Sequence, residues 1–342
     1  MRPRPVSRRT LCAALLLTAP GCDFTPSLDI NTPAHAPQTV LRAVLAAGEE
    51  ASVRVSMSRD PYGVQPLNRP PSPTPVDAIV TVQRDGGPVE QLFVRPQTCY
   101  RDRVVACNTG TGLTEVSEEG PFECGAFGTT QTIEPGATYT LRADVPGLPP
   151  ARAAVVVPRI AQVDAVEEAS GNADIRRLRV RVHDVAGAGS RYALTIQREY
   201  DAFRATVCAP GGPRDTTIAL GVPDAYETRF ASADPVLLAG AREPGDALQF
   251  VTFTDETFDG GLHEFAVEVP VVDLASSFTP TGRLIVQLAV ISDVLYDAFQ
   301  ITYFSLGDYN PFAEPVNLPT NVDGGLGRVG AVAITEVVLA GP

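Results

Sequence analysis

The side chains of this chain best suited to covalent or metal chemistry are six cysteines and three histidines. Cys22 follows directly on Ala19-Pro20-Gly21. A thiol at such a junction, after a small residue, resembles the bacterial lipobox, where the sulfur is diacylated and the preceding peptide bond is cut. Gly21 fits that chemistry. Ala19 stands where leucine is usual, with Leu17 further upstream, and Pro20 is out of pattern. Cys12 lies in the segment before the cut. The remaining cysteines, Cys99, Cys107, Cys124 and Cys208, are even in number, which in an exported chain points to disulfides, with three pairings possible. Cys99, Cys107 and Cys124 share one Gly- and Thr-rich region, so two of them are expected to pair. A loop of that size would be stabilised by roughly 2.5–3.5 kcal/mol. A metal site is disfavoured, because their spacing lacks a close ligand pair such as C-x-x-C.

Other chemistry is sparse. His35, His183 and His263 are far apart in sequence, and His183 and His263 read as polar positions on strands. No H-E-x-x-H or G-x-S-x-G motif occurs, so neither a zinc hydrolase nor a nucleophile elbow is indicated, and no enzyme activity is expected. Asp255, Glu256 and Asp259 precede Gly260-Gly261; they could surround Ca²⁺ but read better as a solvated acidic turn. Gly324-Gly325-Leu326-Gly327 lacks the lysine and helix of a phosphate loop. Its glycines suit a tight turn passing close to another surface, with Asn310 and Asn321 bonding local backbone. No cofactor or metal is expected. Tyr309 and Phe312 are the better candidates for a recognition surface, since loops on a rigid scaffold carry binding more often than cores do. The aromatics Tyr296, Phe299 and Tyr303 read as core.

These residues must be held by β-structure. The 31 prolines and 29 glycines punctuate short Val/Ile/Thr/Leu runs, an all-β pattern. Strands are expected at 38–47, 51–58, 77–84, 89–94, 138–145 and 151–157, with the Asp85-Gly86-Gly87 turn joining two of them into a hairpin. They suggest an immunoglobulin-like β-sandwich over 38–158. A second, mainly-β domain, 159–342, is expected to hold strands at 176–182, 192–198, 250–253, 263–272, 282–291 and 329–339. Within 176–182, Leu178, Val180 and Val182 alternate with Arg177, Arg179 and Arg181. One short helix, 293–304, is capped by Ser292 and Asp293. Residues 95–131, 199–247 and 307–328 read as irregular.

The N-terminus sets the expected location. Arg2, Arg4, Arg8 and Arg9 precede the apolar run Leu11–Ala19, far shorter than the ~18–20 residues a spanning helix needs. A basic head, a short apolar run and a small-residue cut site describe a signal peptide, residues 1–21. Ser7-Arg8-Arg9-Thr10-Leu11 also looks like a twin-arginine signal. Residues 22–37, with Pro26, Pro33 and Pro37, read as a tether. Each buried lipid CH₂ contributes ~0.8 kcal/mol, so two or three chains on Cys22 would hold the protein on a membrane. The net charge is −13, every basic residue is arginine and there is no tryptophan. Such acidity argues against nucleic acid and against adsorption onto anionic lipid.

The order of these pieces resembles an uncharacterised family of bacterial lipoproteins, domain of unknown function 4249. The likeness rests on the lipobox and polar tether, on Pro135-Gly136 leading into Tyr139-Thr140-Leu141, on the strand-then-helix at 284–304, and above all on Asn310-Pro311, Glu314-Pro315 and Asn321-Val322-Asp323-Gly324-Gly325-Leu326-Gly327. The resemblance implies an outer-membrane lipoprotein facing periplasm or cell surface, acting as a non-catalytic binding or accessory module for an energy-coupled (TonB-dependent) outer-membrane transporter. Binding candidates are Tyr309, Asn310, Phe312, Asn321, Gly324 and Gly325. The alternative is a structural or adhesive envelope protein with no small ligand.

Overall fold

The computed structural model describes residues 36–58, 74–108, 113–185, 189–209, 212–240, 248–271, 278–305 and 318–340, without the side chains of 96–124, 205, 207–212, 278 and 302–305. The fold is all-β, with two helices among the described residues. Its first half is built from β1 (Thr39–Ala46), β2 (Glu50–Met57), β3 (Ile79–Arg84), β4 (Val89–Asn108), β5 (Leu113–Thr132), β6 (Thr138–Asp144) and β7 (Ala151–Val156). The second half comprises β8 (Gln162–Glu168), β9 (Ile175–His183), β10 (Arg191–Ala209), β11 (Gly212–Glu227), β12 (Ala231–Ser232), α1 (Pro235–Ala239), β13 (Phe250–Thr254), β14 (Leu262–Pro270), β15 (Phe278–Ile291), α2 (Asp293–Ser305), β16 (Val322–Asp323) and β17 (Leu326–Leu339).

Alternation dictates the cores. In β2 the side chains of Ala51, Val53 and Val55 are buried while Ser52 and Arg54 are exposed; β7 buries Ala151, Ala153 and Val155 in the same way. Such half-buried strands must pack face to face. A first core gathers Leu41, Leu45, Val53 and Val55 against Val80, Leu141, Ala153 and Val155. Val157 still belongs to it, and Ala161 begins the second core, which places Leu178 and Val180 against Leu194, Ile196, Val286 and Leu288. Fully burying each such side chain contributes roughly 1.5–3 kcal/mol.

The strands run in one large mixed sheet, β11-β10-β15-β17-β1-β2-β5-β4-β3-β6-β7-β16, with β13 also on β10, and a smaller sheet, β12-β14-β9-β8. The link between halves is β17. It lies parallel to β1 through Val40↔Leu326 to Ala46↔Val332 and antiparallel to β15 through Ile291↔Val332 to Leu284↔Leu339. Val329 and Ala331 therefore enter the first core and Ala333 the second. The sandwich read over 38–158 is thus closed by a strand from the C-terminus, and residues 37–342 form one compact unit.

Two stretches read as irregular are long hairpins. Within 95–131, residues 95–108 and 113–131 belong to β4 and β5, paired without a break from Phe93↔Gly128 to Asn108↔Leu113. Much of 199–247 belongs to the β10–β11 hairpin, paired from Gln197↔Glu227 to Ala209↔Gly212 with a bulge near Tyr200. Their glycine, proline and charged residues mask strand propensity, and the pairing that makes them strands is non-local. The expected loop 307–328 holds β16 and the start of β17 near its end. The helix expected at 293–304 is α2, and α1 is a further single turn capped by Asp234, whose carboxylate accepts from Val236 N at 2.8 Å.

Candidate functional site

A cavity of about 580 Å³ opens where the two cores meet. The end of β7 and the link to β8 supply Val155, Val157, Pro158 and Arg159; the start of β10 supplies Ser190, Arg191 and Tyr192; the β15–α2 junction supplies Val290, Ile291 and Val294. The volume lies within the range of small-molecule sites, and its wall mixes aliphatic side chains with the polar groups of Arg159, Ser190, Arg191, Ser292, Asp293 and Asn321. Arg191 is fixed: its Nε donates to Asp293 Oδ1 at 2.6 Å and its guanidinium carbon lies 4.6 Å from the centre of the Tyr296 ring. The hydrogen bond to Asp293 raises the Arg191 pKa, so the guanidinium on this wall stays charged. Arg159, also on the wall, has no partner among the described residues.

The β15–α2 corner holds its shape through Ser292. Its backbone N donates to Ala331 O at 2.9 Å, and its Oγ accepts from Ala331 N at 3.0 Å. Opposite, Asn321 behaves as a piece of strand. Its Nδ2 donates to Val329 O at 2.8 Å and Ala154 O at 3.2 Å, and its Oδ1 accepts from Val329 N at 3.0 Å. The amide thus ties β7 to β17 at the cavity rim and keeps little capacity for a ligand. Gly324 and Gly325 occupy the turn between β16 and β17. A Cβ on Gly325 would sit 2.5 Å from Thr39 O, and Gly324 has φ +72° with Pro150 O 2.3 Å from a Cβ. These glycines let the chain leave β7 and join β1, so Asn321, Gly324 and Gly325 are placed as framework residues.

Beside the cavity, Asp184, Asp255 and Asp259 bring carboxylate oxygens within 4.8 Å of one another, the single group of three potential metal ligands among the described residues. Asp255 is buried and accepts from Ser190 N at 2.7 Å; Asp184 accepts from Gly260 N at 2.6 Å and from the Tyr192 hydroxyl. Burial, and then the Asp184 bond, pushes the Tyr192 phenol well above its ordinary range, so it stays a donor. The Asp255–Gly261 turn is thereby clasped to the end of β9. The sequence pointed to Asp255 and Asp259 but not to Asp184, which follows β9 and carries no local signal.

The other expected residues divide clearly. Cys22, His35, Tyr309, Asn310 and Phe312 lie outside the described residues, as do the side chains of Cys99, Cys107, Cys124, Cys208 and Tyr303. By backbone register, Cys124 pairs with Gln97 and Cys107 with Thr114. His183 pairs with Asp164 at 3.1 Å, and His263 with Asp234 at 3.2 Å, stacked on Phe258. The two make separate hydrogen-bonding contacts with different aspartates and do not converge on one site. Tyr296 lies under Arg191 and Phe299 packs edge-on to Phe250.

No family model matches the chain, and no curated protein matches it. Among solved structures, the Fcho1 Mu homology domain of Danio rerio, bound to an Eps15 peptide, is similar over 87% of this chain and 92% of that one, at 8% identity and a TM-score of 0.20.

Proposed function

We propose that this chain is an exported bacterial envelope protein, anchored through a lipidated Cys22, that works as a non-catalytic binding or accessory module. The observation that carries the binding role is the cavity at the core junction, lined by aliphatic and polar groups together and bearing the Arg191–Asp293 pair. The anchoring part is supported by the basic head, the short apolar run and the Gly21-Cys22 junction. No helix among the described residues is long and apolar enough to cross a membrane. Cys99, Cys107, Cys124 and Cys208 would provide disulfides in an oxidising compartment. The resemblance read from 310–327 makes an outer-membrane transporter the first partner to look for.

Two measurements test this reading. Metabolic labelling with palmitate in a Gram-negative host should mark the wild type and leave Cys22→Ser unlabelled; equal labelling of both removes the anchor. Affinity purification from solubilised envelopes, with mass spectrometry of retained small molecules and proteins, should recover a ligand or a transporter. Val294→Trp, which fills the cavity, should lose the small molecule. A wild type that retains neither would contradict the binding role.

A further inference from the structure

The outward face of the large sheet carries three arginines in one row. Arg42 on β1 stands directly opposite Arg54 on antiparallel β2 and in register with Arg328 on parallel β17. Directly opposed residues project from the same face, on strands about 4.8 Å apart. That face is turned away from the first core, into which Leu41, Ala43, Val53, Val55 and Val329 point. None of the three guanidiniums has a hydrogen bond or ion pair among the described residues. Arg328 Nη1 is enclosed and still unpartnered. Burial, and then the charge of Arg42, lowers the Arg328 pKa. The neighbours along the same face are Ser52 and Ser56 on β2, Val40 and Val44 on β1, and Leu326 and Gly330 on β17. None of these carries a carboxylate; Glu50, further along the same side of β2, is taken up by Arg95, and the Gly330 end lies under Leu295 of α2.

Like charges directly opposite one another across a ladder destabilise it. Three cations in a row call for an anion with acceptor oxygens on several sides. A single carboxylate is used up by one guanidinium fork. A phosphate monoester or diphosphate carries close to two negative charges and can accept from several arginines together. We propose that Arg54, Arg42 and Arg328 form a binding site for a phosphate monoester or diphosphate group. Val44 and Leu326, exposed on the same face, lie where an apolar body attached to that phosphate would rest. The site is separate from the cavity at the core junction and does not depend on it.

The test uses the full chain carrying Cys22→Ser, so that no acyl group contributes. Isothermal titration with pyrophosphate, and cosedimentation with phosphatidylcholine vesicles with and without phosphatidic acid, form its two arms. Pyrophosphate binding with no gain from phosphatidic acid supports the site with a soluble ligand; retention that needs phosphatidic acid supports it with a lipid headgroup. In whichever arm binds, Arg42→Gln and, separately, Arg54→Gln should weaken affinity about tenfold or more, the loss of a charge-assisted contact. Arg179→Gln, on the smaller sheet, should leave it unchanged. Thermal melts confirm that each variant folds. Binding in neither arm, or equal binding by wild type and both row variants, overturns the proposal.

Discussion

Two arginine rows on this molecule are built alike and compensated differently. On the smaller sheet, β9 exposes Arg177, Arg179 and Arg181, and its neighbours answer them. Arg177 pairs with Glu268 at 2.6 Å, Arg181 with Glu264 at 2.7 Å, and Arg179 reaches Glu168, with Glu264 at 3.7 Å. His183 continues the row against Asp164. On the large sheet, Arg54, Arg42 and Arg328 stand side by side, and none has an ion pair among the described residues. The first row runs along one strand and alternates in sign with its neighbours, so it is a solvated outer face. The second runs across three strands with one sign, and no ion pair or hydrogen bond among the described residues offsets it. The difference separates charge that keeps a sheet in water from charge set aside for a partner.

The comparison breaks most completely if β17 is moved. Gly327 has φ +112°, and a Cβ there would lie 2.1 Å from Leu41 O. Gly327→Ala should cost at least about 2 kcal/mol, from the left-handed backbone and the clash together, seen as a lower denaturant midpoint, and should displace Arg328 from the row. Next in size, Arg42→Glu sets a carboxylate between two arginines and makes the unpaired row resemble the paired one. Two new cross-strand pairs, each contributing roughly 0.2–1 kcal/mol, should raise the melting temperature. The converse change, Arg181→Glu, puts a third carboxylate beside Glu264 and Asp164 and should lower stability by roughly 0.5–1 kcal/mol, an effect that shrinks with salt.

The smallest effect is that of pH. Arg181, by a hydrogen bond, and then the charges of Arg179 and Arg181, hold the Glu264 carboxyl below its ordinary range. A carboxyl with a lowered folded-state pKa adds stability that is complete above its unfolded value, about 4.3, and is lost as pH falls through the folded one. Melts between neutral pH and that range should be flat for this pair and decline below it. Glu264→Gln should flatten the acid limb slightly.

The two rows were not equally legible. Arg177, Arg179 and Arg181 alternate with Leu178, Val180 and Val182, so period two exposes them as the outward side of a strand. Their partners lie on β8 and β14, and only register brings them close. Arg42, Arg54 and Arg328 are single arginines in three strands, one from the far end of the chain, and no local pattern joins them. The same limit explains β4 and β5, whose pairing is non-local while their composition reads as loop. The helix α2 was legible because its apolar spacing and its Ser292 start are local. Asn321 and the glycines after it were legible as turn chemistry, but that they bind β7 to β17 follows from the sheet order alone.

One arginine row is compensated by its neighbours, and the other has no ion pair among the described residues. Arg42→Gln and Arg179→Gln, melted side by side at low salt without added anion, test it most directly. Removing Arg42 should raise the melting temperature by relieving repulsion, and removing Arg179 should lower it by leaving Glu168 and Glu264 short of a partner, with both shifts shrinking in high salt. Shifts of the same sign at low salt would contradict the account.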